Sequence, residues 1–138
     1  MIAYVTVGAD DMTAAERFYS AVLAPLGYAL ERYHGDLSYV LPRAPGQPFA
    51  PPDLYVKAPF DGGPASAGNG AMVAFEVPTQ AQVRALHAAG LAAGGHDAGA
   101  PGFRAAYGPR FFVGYLRDPQ GNKLALFSAN PDEPGRDG

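Results

Sequence analysis

A chain of 138 residues without cysteine is the size of one domain, and it holds together without disulfides or a Cys-based metal site. A net charge of −3 and a pI near 5.5 argue against a nucleic-acid partner, because the ten Lys and Arg residues are scattered rather than clustered. No apolar run approaches the roughly 18 residues that span a bilayer, and Met1 leads straight into strand-like sequence, so a cytoplasmic protein without membrane contact is expected.

In chain order, Ala3–Val7 is a β-type segment. Thr13-Ala-Ala-Glu16 fits a capping box, in which hydroxyl and third-position side chain satisfy orphan N–H groups. The helix it opens shows one apolar face, Ala15, Phe18, Tyr19 and Val22, and ends at Pro25 and Gly27. Tyr28–Tyr33 and Leu37–Leu41 read as strands joined at His34-Gly35-Asp36, and Asp53–Lys57 as a third. Glycine and proline concentrate in Pro42–Asp53, Pro59–Gly70 and Pro131–Gly138, which predicts two loops and a frayed tail.

After the second loop, Ala71–Phe75 is again β-type, and Thr79-Gln-Ala-Gln82 caps a helix with Val83 and Leu86 on its face and Gly90 or Gly94 at its end. Phe103–Ala106, Phe111–Arg117 and Asn122–Phe127 are the last strand candidates. Asp118-Pro119-Gln120-Gly121 is a hairpin turn, with proline presetting φ and glycine free to turn left-handed. The chain matches itself at an offset of 68 residues: Ala3–Val7 falls on Ala71–Phe75, Phe18 on Leu86, Leu23 on Leu91 and Gly27 on Gly95. The reading is one α+β domain over about residues 1–130. It comprises two tandem βαβββ modules (about 1–58 and 71–130), a linker at about 59–70 and a flexible tail at 131–138. With helices on the outer face, the sheet forms a mixed, cup-shaped surface that offers a ligand cleft.

Several segments in this order carry a family resemblance. They are Tyr4-Val-Thr-Val-Gly8, Asp11–Tyr19, Leu26-Gly27, Gly70–Phe75 and, most specifically, the closing run Pro101–Lys123. Together they resemble the vicinal-oxygen-chelate superfamily of glyoxalases, bleomycin-resistance proteins and ring-cleaving dioxygenases, over most of residues 2–128. The resemblance implies the cup fold and, in many members, a divalent cation. The matching ligand positions here are Tyr4, Met72 and Ala125, with Tyr55 near a fourth. Neither phenol, thioether nor methyl suits a hard or borderline cation, and the neighbouring Val5, Val73, Leu124 and Leu126 are apolar, so no metal, no other cofactor and no catalytic residue is assigned. The resemblance also implies a homodimer, for which Phe111 and Phe112 would be apolar edge residues.

The strand period of two assigns faces. Tyr4 and Thr6 point into the cup if Val5 and Val7 are core; Met72 and Ala74 do so if Val73 and Phe75 are core; Lys123, Ala125 and Phe127 share that face. A glycine bulge at Gly121 sets Tyr115 opposite Ala125 in the cup, whereas a plain two-residue register turns Phe112 and Gly114 inward. The expected ligand-binding set is Tyr4, Thr6, Tyr39, Tyr55, Met72, Tyr107, Tyr115 and Ala125. His34 reads as a hairpin residue, His87 as helix surface, and His96 as a loop residue able to overhang the cleft. Arg104, Arg110 and Arg117 suit an anionic group or serve solubility. Ser20, Ser38, Ser66 and Ser128 lack a nucleophile elbow, and Gly62-Gly63 lacks dinucleotide-binding spacing. The leading expectation is a metal-free binder of a small, possibly aromatic molecule. Its rivals are a glyoxalase-like lyase, isomerase or dioxygenase working through a tyrosine or His96, and a partner-binding module with exposed apolar patches.

Overall fold

The computed structural model describes residues 1–47 and 51–138. The chain forms β1 (Tyr4–Gly8), α1 (Met12–Leu23), β2 (Ala29–Tyr33), β3 (Asp36–Val40), β4 (Asp53–Lys57) and β5 (Val73–Glu76). It continues through α2 (Gln80–Ala92), β6 (His96–Phe103), β7 (Phe112–Arg117) and β8 (Lys123–Ser128). The two sheets have the same design, β1-β4-β3-β2 and β5-β8-β7-β6, with one parallel pair each. The α+β fold of two βαβββ modules expected from the repeat is the observed one. Thr6 pairs with Tyr55 as Ala74 pairs with Ala125, so the 68-residue offset holds from β1 to β5 and becomes 70 from β4 to β8. β1 and β5 are edge strands, and no ladder joins them.

Both helices start at a side-chain cap, but not both where the sequence suggests. Thr79 caps α2 as expected, accepting from the Gln82 N–H at 3.1 Å. At α1 the cap is Asp11, whose carboxylate accepts from the Ala14 N–H at 2.9 Å, so the helix begins two residues ahead of the Thr13 box. α1 ends in a 3₁₀ turn (Ala24–Leu26) and Gly27 at φ 93°. α2 runs through Gly90 and stops before Gly94 at φ 99°. Gly90, within the helix, stands where the two modules meet, and glycine leaves the room they need: a Cβ would lie 2.6 Å from Leu116 Cδ1 and 3.3 Å from Val22 Cγ2.

The core lies between the helices and the sheets. Phe18, Tyr19, Val22 and Leu23 of α1 and Val83 and Leu86 of α2 pack over Leu37, Leu54, Val56, Phe75, Leu116, Leu124 and Leu126. These strand residues share one parity, so the other parity forms the open face: Tyr4, Thr6, Ser38, Tyr55 and Lys57 in module one, and Ala74, Val113, Tyr115, Lys123, Ala125 and Phe127 in module two.

A polar knot ties the last hairpin to module one. The Asp118 carboxylate, 1% exposed, accepts from the Tyr19 hydroxyl at 2.6 Å, from the Gln120 and Asn122 N–H groups at 3.0 and 2.9 Å, and from Asn122 Nδ2 at 2.9 Å. Asn122 Nδ2 also donates to the Gly8 carbonyl at 2.9 Å. Four neutral donors thus compensate a buried carboxylate that has no ion-pair partner among the described residues.

Several expectations are corrected here. Tyr39 shares the parity of Leu37, is 1% exposed, and bonds Ser20 Oγ at 2.9 Å, so it is a core residue under α1 and not a cup residue. His87 is buried at the fourth position after Val83, not at the helix surface. Its Nε2 lies 3.1 Å from both Asp97 Oδ1 and the Tyr115 carbonyl; both are acceptors, so Nε2 carries the proton. The strand expected at Phe103–Ala106 is instead the longer β6, which starts at His96 and has two register shifts. Phe112 is buried in the core, and Phe111 packs on Phe127 at 4.4 Å, so neither is a bare edge aromatic. The terminal segment, expected to fray, folds back: Arg136 donates to the carbonyls of Arg104, Ala105 and Tyr107, and Gln80 N–H donates to Glu133. The Pro42–Asp53 loop falls partly outside the described residues.

Candidate ligand-binding site

The hairpin chemistry that places Tyr115 is local. Gly121, at φ 103°, closes the turn by donating to the Asp118 carbonyl at 2.9 Å, and the Asp118 N–H answers to Asn122 O at 2.9 Å. This bulged closure gives the register Tyr115↔Ala125 and Val113↔Phe127, which turns Tyr115 to the open face as the bulged reading requires and leaves Phe112 and Gly114 on the helix side. Gly99 of β6 is the partner of Tyr115 on its other flank, and a Cβ there would lie 2.8 Å from Tyr115 Cδ2. Glycine therefore leaves the space the ring occupies.

Two cations flank that ring: Lys123 Nζ is 4.8 Å and Arg104 Cζ 5.6 Å from its centroid. The Tyr115 hydroxyl is held above the ordinary phenol range by partial desolvation first, then by the Tyr107 phenol, with Arg104 opposing. Tyr107 is half-exposed and stacks edge-on to Phe111 at 5.1 Å. Ala125 is the buried floor between Ala74 and Tyr115.

Module one presents a different surface. Tyr4 and Tyr55 lie 4.9 Å apart and, with Thr6, Asp36, Lys57 and linker residue Phe60, line an open groove of about 740 Å³. Tyr55 donates to Asp53 Oδ2 at 3.3 Å, and its pKa is raised, by desolvation first and then by Asp53. Met72 stands just before β5, half-exposed, at the seam between the modules. There it lines a slot of about 370 Å³ with Ile2, Val5, Tyr28, Asp53 and Phe75. The expected set thus divides into Tyr4, Thr6 and Tyr55 on one face, Tyr107, Tyr115 and Ala125 on the other, and Met72 between them. His96 opens β6 opposite Arg117 and is exposed. Arg110 holds the tail, donating to the Glu133 carbonyl at 2.6 Å.

The four positions that the resemblance marks as ligand places, Tyr4, Tyr55, Met72 and Ala125, offer a phenol stacked on a second phenol, a thioether and a methyl group. Among the described residues, no three His, Asp, Glu or Cys side chains are grouped so as to hold a metal. This donor set does not fit a divalent cation. Among the described residues, no helix is long and apolar enough to cross a membrane.

Two βαβββ modules with their helices packed together, each leaving one sheet face open, define an α+β class of paired-module folds. Over 93% of its length the chain is 33% identical to a glyoxalase/bleomycin resistance protein from Albidiferax ferrireducens T118, covering 98% of that chain with a TM-score of 0.77. The chain belongs to the glyoxalase/bleomycin resistance/dioxygenase superfamily. A glyoxalase-related enzyme from Fulvimarina pelagi (23% identity, 93% of this chain and 87% of that one, TM-score 0.68) shares the fold. So does a family enzyme from Burkholderia phytofirmans PsJN (19% identity, 92% and 97%, TM-score 0.67). No family model and no curated protein matches the chain.

Proposed function

We propose that this protein binds a small molecule bearing an aromatic group on the open face of module two, without a resident metal ion. The observation that carries the reading is Tyr115, which stands on a floor of Ala125 with Lys123 and Arg104 at its flanks. An upright, partly exposed ring on a small-residue floor supplies contact area at low entropic cost. The donor chemistry at Tyr4, Tyr55, Met72 and Ala125 supports the metal-free part. So does the direction of the phenol shifts: Tyr55 and Tyr115 both move upward, away from general-base duty at neutral pH, which favours binding over catalysis.

The test uses untagged protein whose metal content is measured first, with the neutral aromatic benzamide as probe. Less than stoichiometric metal is expected, with no change in melting temperature on adding a chelator. Benzamide should shift the amide resonances around Tyr115, and Tyr115→Ala should weaken that binding by about 1–3 kcal/mol. About one tightly held ion per chain, or binding indifferent to Tyr115→Ala in folded protein, sinks the reading.

A further inference from the structure

The rung that crosses module two just below Tyr115 is basic from strand to strand. His96 on β6 pairs with Arg117 on β7, and Arg117 pairs with Lys123 on β8. Residues directly opposite in an antiparallel ladder point to the same side, and like charges so placed repel. This protein carries 13 acidic residues against 10 basic ones, yet it sets no acid against this rung. Among the described residues the ion pairs are Arg32–Glu16, Lys57–Asp36, His87–Asp97 and Arg136–Asp137; none involves Arg104, Arg117 or Lys123. Glu76, the acid at the open-face parity of β5, pairs with Phe127, toward the far end of β8 from Lys123. Arg117 donates one N–H to the Gly121 carbonyl at 2.8 Å, which anchors its guanidinium and leaves its other donors unspent. Lys123 has no hydrogen-bond partner among the described residues and rests its ammonium on the Tyr115 ring.

These two cations also line a cavity. Arg117 and Lys123, together with Met72 and the turn Gly68–Ala71, bound a hollow of about 320 Å³ that no carboxylate enters. Gly70 is at φ 94°, and the Ala71 N–H closes the turn on Gly68 O at 3.2 Å. The linker thus contributes backbone and an amide side chain, Asn69, and no negative charge. A repulsive pair maintained beside an acid-free hollow is stabilised when an anion enters between the charges.

We infer that the hollow between Arg117 and Lys123 is an oxyanion subsite, and that the molecule bound on this face carries a carboxylate or a phosphate. The inference rests on the binding role proposed for Tyr115 and adds the ligand's charge. The oxyanion lies between the guanidinium and the ammonium beside the 68–71 turn, and the apolar part extends over Met72 and Ala125 toward Tyr115. Carboxylate and phosphate meet the same donors, so the probes must separate them.

The experiment titrates the whole protein with benzoate, inorganic phosphate and neutral benzamide, following amide resonances and the melting temperature. Benzoate, phosphate or both should shift Gly68–Met72 and Lys123, saturating near about 1 mM. The affinity should fall roughly tenfold when salt rises from about 20 to about 200 mM. Lys123→Gln and Arg117→Gln should each lose at least about tenfold, while Lys123→Arg keeps binding within about threefold. Because the rung is repulsive, Lys123→Gln should melt no lower than the parent protein, so lost binding in that variant is not lost folding. Response to benzoate alone assigns a carboxylate, and to phosphate alone a phosphate. If neither anion shifts these residues, or both glutamine variants bind as the parent does, the subsite is overturned. Benzamide binding at Tyr115 that ignores Lys123→Gln, with no anion response, overturns the oxyanion subsite alone and leaves the binding role of the face standing.

Discussion

Single residues here divide into those whose chemistry could be read from neighbours in sequence and those whose partners come from far along the chain. Asp118 is the second kind. As the first residue of a hairpin turn it reads as turn chemistry, yet its carboxylate is the buried hub that joins Tyr19, Asn122 and, through Asn122, Gly8. The bond from Tyr19 spans 99 positions and has no local signal. Its consequence is testable by pH. The Tyr19 hydroxyl is held well above the ordinary phenol value, by burial first and then by the Asp118 charge and hydrogen bond. A raised folded pKa means that the folded state holds its proton more tightly than the unfolded chain, whose value is about 10. The stabilisation is therefore complete below about pH 10 and is lost as pH rises through the folded value. Urea unfolding between about pH 7 and pH 11 should show Tyr19→Phe less stable by about 1–2 kcal/mol at neutral pH, with a shallower alkaline decline than the parent. Parallel alkaline limbs in parent and variant would show that Tyr19 does not titrate as the structure requires.

Elements were legible where local chemistry fixed them. The turn glycine with Pro119 ahead of it set the β7–β8 register and so the face of Tyr115. His34 and Gly35, both at positive φ, made the two-residue hairpin between β2 and β3. Periodicity also carries the placements that differ from expectation: Leu37 and Tyr39 alternate with Asp36 and Ser38, which puts Tyr39 in the core, and Val83, Leu86, His87 and Gly90 form one helical face. β6 gave no such signal. Its Gly99, Pro101 and Gly102 read as loop, and only pairing with β7, interrupted by two shifts, makes it a strand. The contact between α1 and α2 likewise depends on glycines that sequence marked only as helix ends. At Gly95 a Cβ would collide with Phe18 Cε2 and lie 2.8 Å from the Gly90 carbonyl and 3.0 Å from the Arg117 carbonyl. Backbone oxygens cannot rotate away, so Gly95→Ala should cost about 2 kcal/mol or more in urea denaturation. A loss below about 0.5 kcal/mol would mean that the modules do not pack this closely.

At the scale of the whole molecule, the two modules meet at a seam between their sheets. Each sheet has a free edge, at β1 and at β5, and the slot between those edges leads to core-facing Val5, Leu54, Val73 and Phe75. Ile2 and Met72 line this slot and Tyr4 opens the neighbouring edge strand β1, each with about half or more of its surface exposed. Phe111 and Phe112, the residues first expected to need cover, are already packed. The case for assembly therefore shifts from the outer end of module two to the seam. Unpaired edges beside exposed apolar side chains favour association, and a twofold contact would let β1 and β5 of one chain meet those of another. A homodimer is accordingly expected from light scattering at tens of micromolar, with Tyr4→Lys shifting it toward the 14.4 kDa chain mass. Because Tyr4 lines the groove of module one and not the hollow at Arg117 and Lys123, such a monomeric variant should keep most of its affinity for a ligand of module two. If the unmodified protein scatters as a single chain, the seam is covered by nothing. If the monomeric variant loses all binding, the site needs the second copy, and module two alone does not make it.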